Sequence, residues 1–223
     1  MYEDLTVKNL LDTTETIAAG IFDGLTYPWE VLPKISDFII KLGQTLSEDE
    51  YEKRGENIWI ARSARIAPTA YLNGPLIICP EAEIRHCAFI RGNAIVGAGA
   101  VIGNSSELKN CIIFNKAQVP HYNYIGDSIL GFKSHLGAGA KTSNLKSDRS
   151  VVTISLADEK INTGLIKFGA IVGDNVEVGC NAILNPGAVI GRNSMVYPLS
   201  MVRGFIPKNS IYKKQGEVVE KNL

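Results

Sequence analysis

The sequence predicts a mainly β chain wound as a parallel β-helix of hexapeptide repeats, and three regularities carry that prediction. Twenty-one aliphatic residues recur on a six-residue ladder. It runs Ile60, Ile66, Leu72, Ile78 and on to Leu108, then Ile113, Val119 and Ile125 after a one-residue contraction, then Leu130 and Leu136, then Ile166, Val172 and Val178 through Val202. Four places after most rungs stands a small residue, as at Ala64, Ala82, Ala100, Ser134 and Ser194. Glycine often follows the rung directly, as at Gly97, Gly103, Gly137 and Gly179. A period of six is neither helical nor a plain alternation, and marks a repeat that buries its apolar face only by stacking on its neighbours. The aliphatics would fill a prism, the small residues would fit its corners, and glycine would supply the positive φ of tight corners. At three hexads per coil, roughly seven coils at the strand spacing give a prism on the order of 30 Å long.

The segments follow in order. Residues 1–55 lie outside the ladder and read as helical. Thr13 or Thr14 would cap a short helix through Ile17, Ala18, Ile21 and Phe22, ended by Gly24. Val31, Leu32, Ile35, Phe38, Ile39 and Leu42 mark one face of a second helix closed by Gly43. Pro28 suits its first turn and Pro33 would kink or restart it. Such a stripe has to be buried, over the end or side of the prism or against a neighbouring subunit, and a capping role is favoured. Ser47 to Glu56 reads as a charged linker. Residues 56–206 form the solenoid, interrupted between Lys141 and Gly164 by a polar loop of the kind that commonly carries function. Residues 207–223 form a polar C-terminal tail, a strand or an arm.

Lys plus Arg and Asp plus Glu number 23 each and no basic run occurs, so nucleic acid and anionic membranes are not expected partners. Glu3 and Asp4, with no basic flank and apolar core behind them, argue against a signal peptide, and a cytoplasmic protein is expected. No apolar stretch approaches the ~20 residues of a membrane span. Cys79, Cys87, Cys111 and Cys180 form no C-x-x-C pair and read as buried thiols, not as a disulfide framework.

Chemistry centres on His121, within Val119-Pro120-His121-Tyr122-Asn123-Tyr124-Ile125-Gly126-Asp127. This H-x-x-Y-x-G-D run has Glu107-Leu108-Lys109 upstream, with Gly137-Ala138-Gly139 and Asn144 downstream. Together these resemble the acetyltransferase domain of the bifunctional N-acetylglucosamine-1-phosphate uridyltransferases. They are similar, more closely still, to the archaeal sugar-1-phosphate nucleotidylyltransferase/acetyltransferases, where a Val-Pro-His run and an Asn-Leu-basic loop occur together.

The resemblance covers residues 60 to about 206 and implies a left-handed β-helix, an exception to the usual right-handed crossover. It also implies acetyl transfer from acetyl-CoA to the amine of an amino-sugar phosphate, without a required metal, at sites between the subunits of a homotrimer. His121 would be the general base, since an ammonium has no lone pair and an imidazole titrates near neutrality. Glu107 would orient it, and Asn144 would sit at the sugar. Arg91 and Lys109 would hold the phosphate, Tyr124 would give a hydroxyl, and His135 stands where bacterial members place a sugar-contacting asparagine. The backbone at Ala138 would face the thioester carbonyl, and Cys180 would lie near CoA. No glycine-rich, lysine-containing nucleotidyltransferase segment precedes the prism in this sequence, so uridyl transfer is not expected.

Two other classes compete. A catalytically inactive trimeric scaffold could retain the sugar phosphate. A γ-carbonic-anhydrase-like zinc enzyme would need His86, His121 and His135, but their separations lack the close histidine pair of that family.

Overall fold

A computed structural model describes residues 2–156 and 159–221. Two- to four-residue strands stack in parallel on their equivalents one coil on: Ile58–Ala61 pairs with Leu76–Ile78, which pairs with Ala94–Val96. The result is the expected left-handed β-helix, of about eight turns where seven were expected.

Its three faces follow from the pairing. Face one continues from Ala94–Val96 through the ends of Glu107–Ile113 and Tyr124–Leu130 to Ala170–Val172, Ala188–Ile190 and Phe205–Ile206. Face two runs from Arg65–Ile66 through Gln118–His121 and His135–Leu136 to Ser210–Lys214. Face three runs from Tyr71–Leu72 and Phe89–Ile90 through Glu107 and Tyr124 to Lys141–Thr142, Ile183–Leu184 and Met201–Val202. The one-residue contraction lets Glu107–Ile113 and Tyr124–Leu130 run as continuous seven-residue strands from face three into face one.

The interior is the predicted ladder, with Ile78, Ile90, Val96, Leu108, Val119, Ile125, Leu136 and Leu184 wholly buried. Three expectations need correction. Ile166 is 54% exposed and belongs to the insertion; Thr142 takes that rung, fully buried, its hydroxyl accepting from the Gly126 N–H at 2.9 Å. The ladder also outlasts Val202, for Ile206 and Tyr212 join the same core and the tail supplies another coil. Nor do the glycines after the rungs adopt positive φ; that conformation falls on Lys116, Tyr122, Asp127 and Lys133, among others. Those glycines serve close approach instead: a Cβ on Gly103 would lie 1.5 Å from the Pro120 carbonyl oxygen of the next coil.

The N-terminal segment lies along the side of the prism, on face one. There the strands turn Ile77, Ile95, Ile112, Ile129, Ile171 and Val189 outward, and all are wholly buried in one cluster with Leu10, Trp29, Val31, Leu32, Ile35 and Ile39. Pro28–Lys34 is a 3-10 turn and the α-helix starts at Ile35 and ends at Gly43, so Pro33 restarts the element as expected. The first expected helix is two short 3-10 turns, Thr13–Glu15 and Ala19–Phe22, and Asp12, not Thr13 or Thr14, caps the first. Buried Asp174 anchors the segment, accepting from the N–H of Asp12 at 2.7 Å and of Phe132 at 2.8 Å beside Arg192. Within the expected linker, Tyr51–Lys53 is a strand pairing antiparallel with Ile58–Ala61, because Tyr51 has an apolar cluster to enter.

All four cysteines are free thiols. Cys79 and Cys111 are buried as expected, burial pushing the Cys79 thiol up to about 12, but Cys87 and Cys180 are exposed because both stand at a corner of the prism. No helix among the described residues is long and apolar enough to cross a membrane.

Docking of the N-terminal segment makes outward side chains of face one behave as core. Ile112→Ala is expected to cost about 2–5 kcal/mol. Urea unfolding monitored by tryptophan fluorescence reads this, and a loss below about 0.5 kcal/mol, the size of a surface change, would show that the segment does not cover this face.

Candidate active site

Stacking at fixed register turns the chain into columns, and the corner between faces two and three holds the most informative one. His86, Asn104, His121, Ala138 and Cys180 follow one another down it, joined by hydrogen bonds from each coil to the last. The Tyr122 N–H donates to the Asn104 carbonyl at 2.9 Å, the Gly139 N–H to His121 at 2.9 Å, and the Asn181 N–H to Ala138 at 2.9 Å. His121 thus stands directly over Ala138, with Cys180 beyond it. The His121 imidazole is exposed and makes no side-chain hydrogen bond among the described residues. The Ala138 N–H likewise meets no acceptor among them, and Ala138 is half-buried one coil below His121.

Asn123 builds this turn. It is buried, its carbonyl oxygen accepts from the His121 N–H at 2.9 Å, and its amide donates to the carbonyls of Gly137 at 2.8 Å and Ala140 at 3.1 Å. One side chain therefore fixes the backbone on which His121 stands to the backbone that presents Ala138. Its polar amide, four places after a rung where most rungs are followed by alanine or serine and the other exceptions are aliphatic, is the sequence signal for it.

Face three carries the remaining residues. Glu107 and Tyr124 are neighbours across adjacent coils, and the Glu107 carboxylate accepts from Arg91 at 2.8 Å. That bond commits Glu107 to Arg91; no hydrogen bond joins it to His121 among the described residues. Burial, followed by the charges of Glu107 and Asp127, raises the Tyr124 phenol above its ordinary value.

At the corner between faces three and one lies a group that sequence reasoning passed over. Asp127, buried and at φ +46°, accepts from Lys109 at 3.1 Å, from the Asn110 amide at 2.9 Å and from the Asn144 amide. The Asn110 amide also donates to the Leu32 carbonyl at 3.2 Å, tying the corner to the N-terminal segment. Asp127 thus collects two residues expected to touch substrate, Lys109 and Asn144, from separate coils. It closes the H-x-x-Y-x-G-D run, but only the stacking shows that it is a hub.

His135 sits apart, on face two, its Nδ1 2.8 Å from the Glu177 carboxylate. One chain therefore spreads its candidate residues over two corners and two faces. His86 and His121 are two coils apart on the corner, and no group of three metal-ligating side chains gathers among the described residues.

Comparison with known proteins gives a consistent picture. The profile of the GMPPB C-terminal domain matches residues 72–185, and that of the bacterial transferase hexapeptide repeat matches residues 169–204. The chain is 33% identical to the bifunctional protein GlmU of Methanococcus vannielii, over 96% of this chain and 53% of that protein. It is 28% identical to the bifunctional sugar-1-phosphate nucleotidylyltransferase/acetyltransferase of Sulfurisphaera tokodaii, over 87% of this chain and 49% of the relative. It is 31% identical to the uncharacterized acetyltransferase YaiX of an Escherichia coli strain, over 74% of this chain and 71% of the relative. The chain spans about half the length of the two bifunctional relatives.

Removing the Asp127 charge leaves Lys109 as an unpaired, largely buried cation, so Asp127→Ala should cost on the order of 3 kcal/mol. Thermal unfolding of Asp127→Ala against Lys109→Ala and the double variant tests the coupling; strictly additive losses would show that the pair is not one unit.

Proposed function

Since the chain belongs to the hexapeptide-repeat transferases with a GMPPB C-terminal-type domain, we propose that it is an acetyl-CoA-dependent N-acetyltransferase acting on an amino-sugar phosphate resembling glucosamine 1-phosphate. The observation that carries the reading is the corner column, an imidazole standing over a backbone N–H, both without a partner among the described residues.

The chemistry asks for both groups. The acceptor amine attacks the thioester carbonyl carbon, forming the C–N bond while His121 takes the proton from nitrogen. The negative charge that develops on the carbonyl oxygen is met by the Ala138 N–H, a donor already in place and needing no reorganisation. Collapse breaks the C–S bond, and the imidazolium returns the proton to the departing thiolate. Cys180, one coil further along the corner, lies where the pantetheine arm of the donor would run. Arg91, Tyr124 and Asn144 line the acceptor side, with Lys109 held in place behind them by Asp127. Glu107 acts through Arg91, holding the guanidinium rather than the imidazole.

A homotrimer completes the site. Residues on the corner, on face two and on face three of a triangular prism point in diverging directions, so a second copy must supply the opposite wall of any enclosed cleft. Face one is taken by the N-terminal segment. Exposed Tyr71, Phe89 and Met201 on face three and Tyr122 and Leu199 at the corner offer the apolar surface that such an interface buries.

Thiol release from acetyl-CoA, measured across a panel of amino-sugar phosphates, tests the reading. His121→Ala is expected to slow turnover about 100-fold or more with the oligomer intact by light scattering, and an unchanged rate removes His121 from the mechanism. Retained sugar-phosphate binding with no thiol release across the panel would instead support a scaffold.

A further inference from the structure

The insertion between Thr142 and Ala170 is built as a wall. Its hairpin, Thr153–Ser155 against Lys160–Asn162, buries Val152 and Ile154 completely in the cluster over face one. Two glycines let it lie directly on the solenoid. A Cβ on Gly187 would stand 2.8 Å from Val152 and one on Gly204 2.3 Å from the Ser155 carbonyl oxygen, and both glycines have positive φ.

Between this hairpin and the coils lies a cavity of about 480 Å³, flanked by Ser143 and Leu145 on either side of Asn144. Lys146, Lys160 and Arg203 bring three cations to it and Asp148 the one carboxylate among the described residues, with Thr153 and Ser155 adding hydroxyls. Asp148 is committed to the Ser150 N–H and hydroxyl at 3.0 and 2.8 Å, and Lys146 to the Ser150 hydroxyl at 2.6 Å. Lys160 and Arg203 are exposed and form no ion pair or side-chain hydrogen bond among the described residues. The contrast with the acceptor wall is sharp, since Arg91 and Lys109 are each already neutralised by a carboxylate.

We infer that the cavity beneath the hairpin is an anion subsite, in which Lys160 and Arg203 take a phosphate or diphosphate group and Lys146 holds the floor. Flexible cations over a hydroxyl-lined floor suit such a group, and Arg203 can bind it in bidentate fashion. The inference rests on the acetyl-transfer reading only for which reactant brings the anion. A nucleoside diphosphate on the amino sugar and the phosphorylated adenosine end of CoA present the same chemistry.

The test is direct binding to the whole 223-residue chain by calorimetry, with inorganic pyrophosphate, uridine diphosphate and adenosine 3′,5′-bisphosphate as probes. The protein is expected to bind pyrophosphate and at least one nucleotide, and the Lys160→Gln/Arg203→Gln double variant to bind them about tenfold more weakly or worse. Both side chains are exposed, and an unchanged melting temperature verifies the fold. A loss confined to uridine diphosphate assigns the pocket to the acceptor; one confined to adenosine 3′,5′-bisphosphate assigns it to the acyl donor. Absence of binding to all three probes, unchanged affinity in the double variant, or a loss produced instead by Arg91→Gln overturns the inference. Because the readout is binding, it stands or falls apart from the His121→Ala rate.

Discussion

Inside the prism one aliphatic side chain per hexad rests on its equivalent from the coil before, and this stacking sets every other relation in the molecule. An apolar rung that slipped by one residue would point outward, so the burial of Ile84, Ile102, Val119 and Leu136 in a single column locks the register of their strands. Once register is locked, residues 17 or 18 apart in the chain become neighbours in space. Asn104, His121 and Ala138 meet for that reason, as do Lys109 and Asp127.

The polar groups of the site use this frame in two ways. Some are consumed in holding it: Asn123 fills its hydrogen bonds around the His121 turn, and Asp127 draws three donors from the coils on either side of it into a buried corner. Others are left unspent. The His121 imidazole, the Ala138 N–H, Lys160 and Arg203 have no partner among the described residues, and they lie where the ring of internal bonds opens to solvent. A rigid solenoid can hold such groups at fixed positions because its own backbone is satisfied by the ladder. The same rigidity divides the candidate residues between two corners and two faces, which makes association with copies of the chain a natural way to enclose them.

The N-terminal segment and the insertion solve a problem created by face one. Its three-residue strands turn a second aliphatic outward on nearly every coil, from Ile77 to Val189, where the other faces show charged and aromatic side chains. Trp29, Val31 and Ile35 cover part of that stripe, while Val152, Ile154 and Phe168 cover more. The insertion is thus a structural lid over face one and, on its other side, the wall of a cationic cavity.

Much of this was legible in the residues alone. The six-residue period gave the solenoid and its inward rungs because burial is local to the repeat, and His121 stood out because its motif is contiguous. The sequence could not tell that Ile166 leaves the ladder and Thr142 enters it, since a hydroxyl suits a buried rung only where a partner such as the Gly126 N–H meets it. It misplaced the role of the glycines, because close approach between coils, unlike a turn, leaves no local mark. The Asp127 hub, the pairing of Glu107 with Arg91 and the cavity under the hairpin were decided only by tertiary structure. Each joins residues from different coils or from an insertion, and which charges neutralise one another depends on distances that only the wound chain possesses.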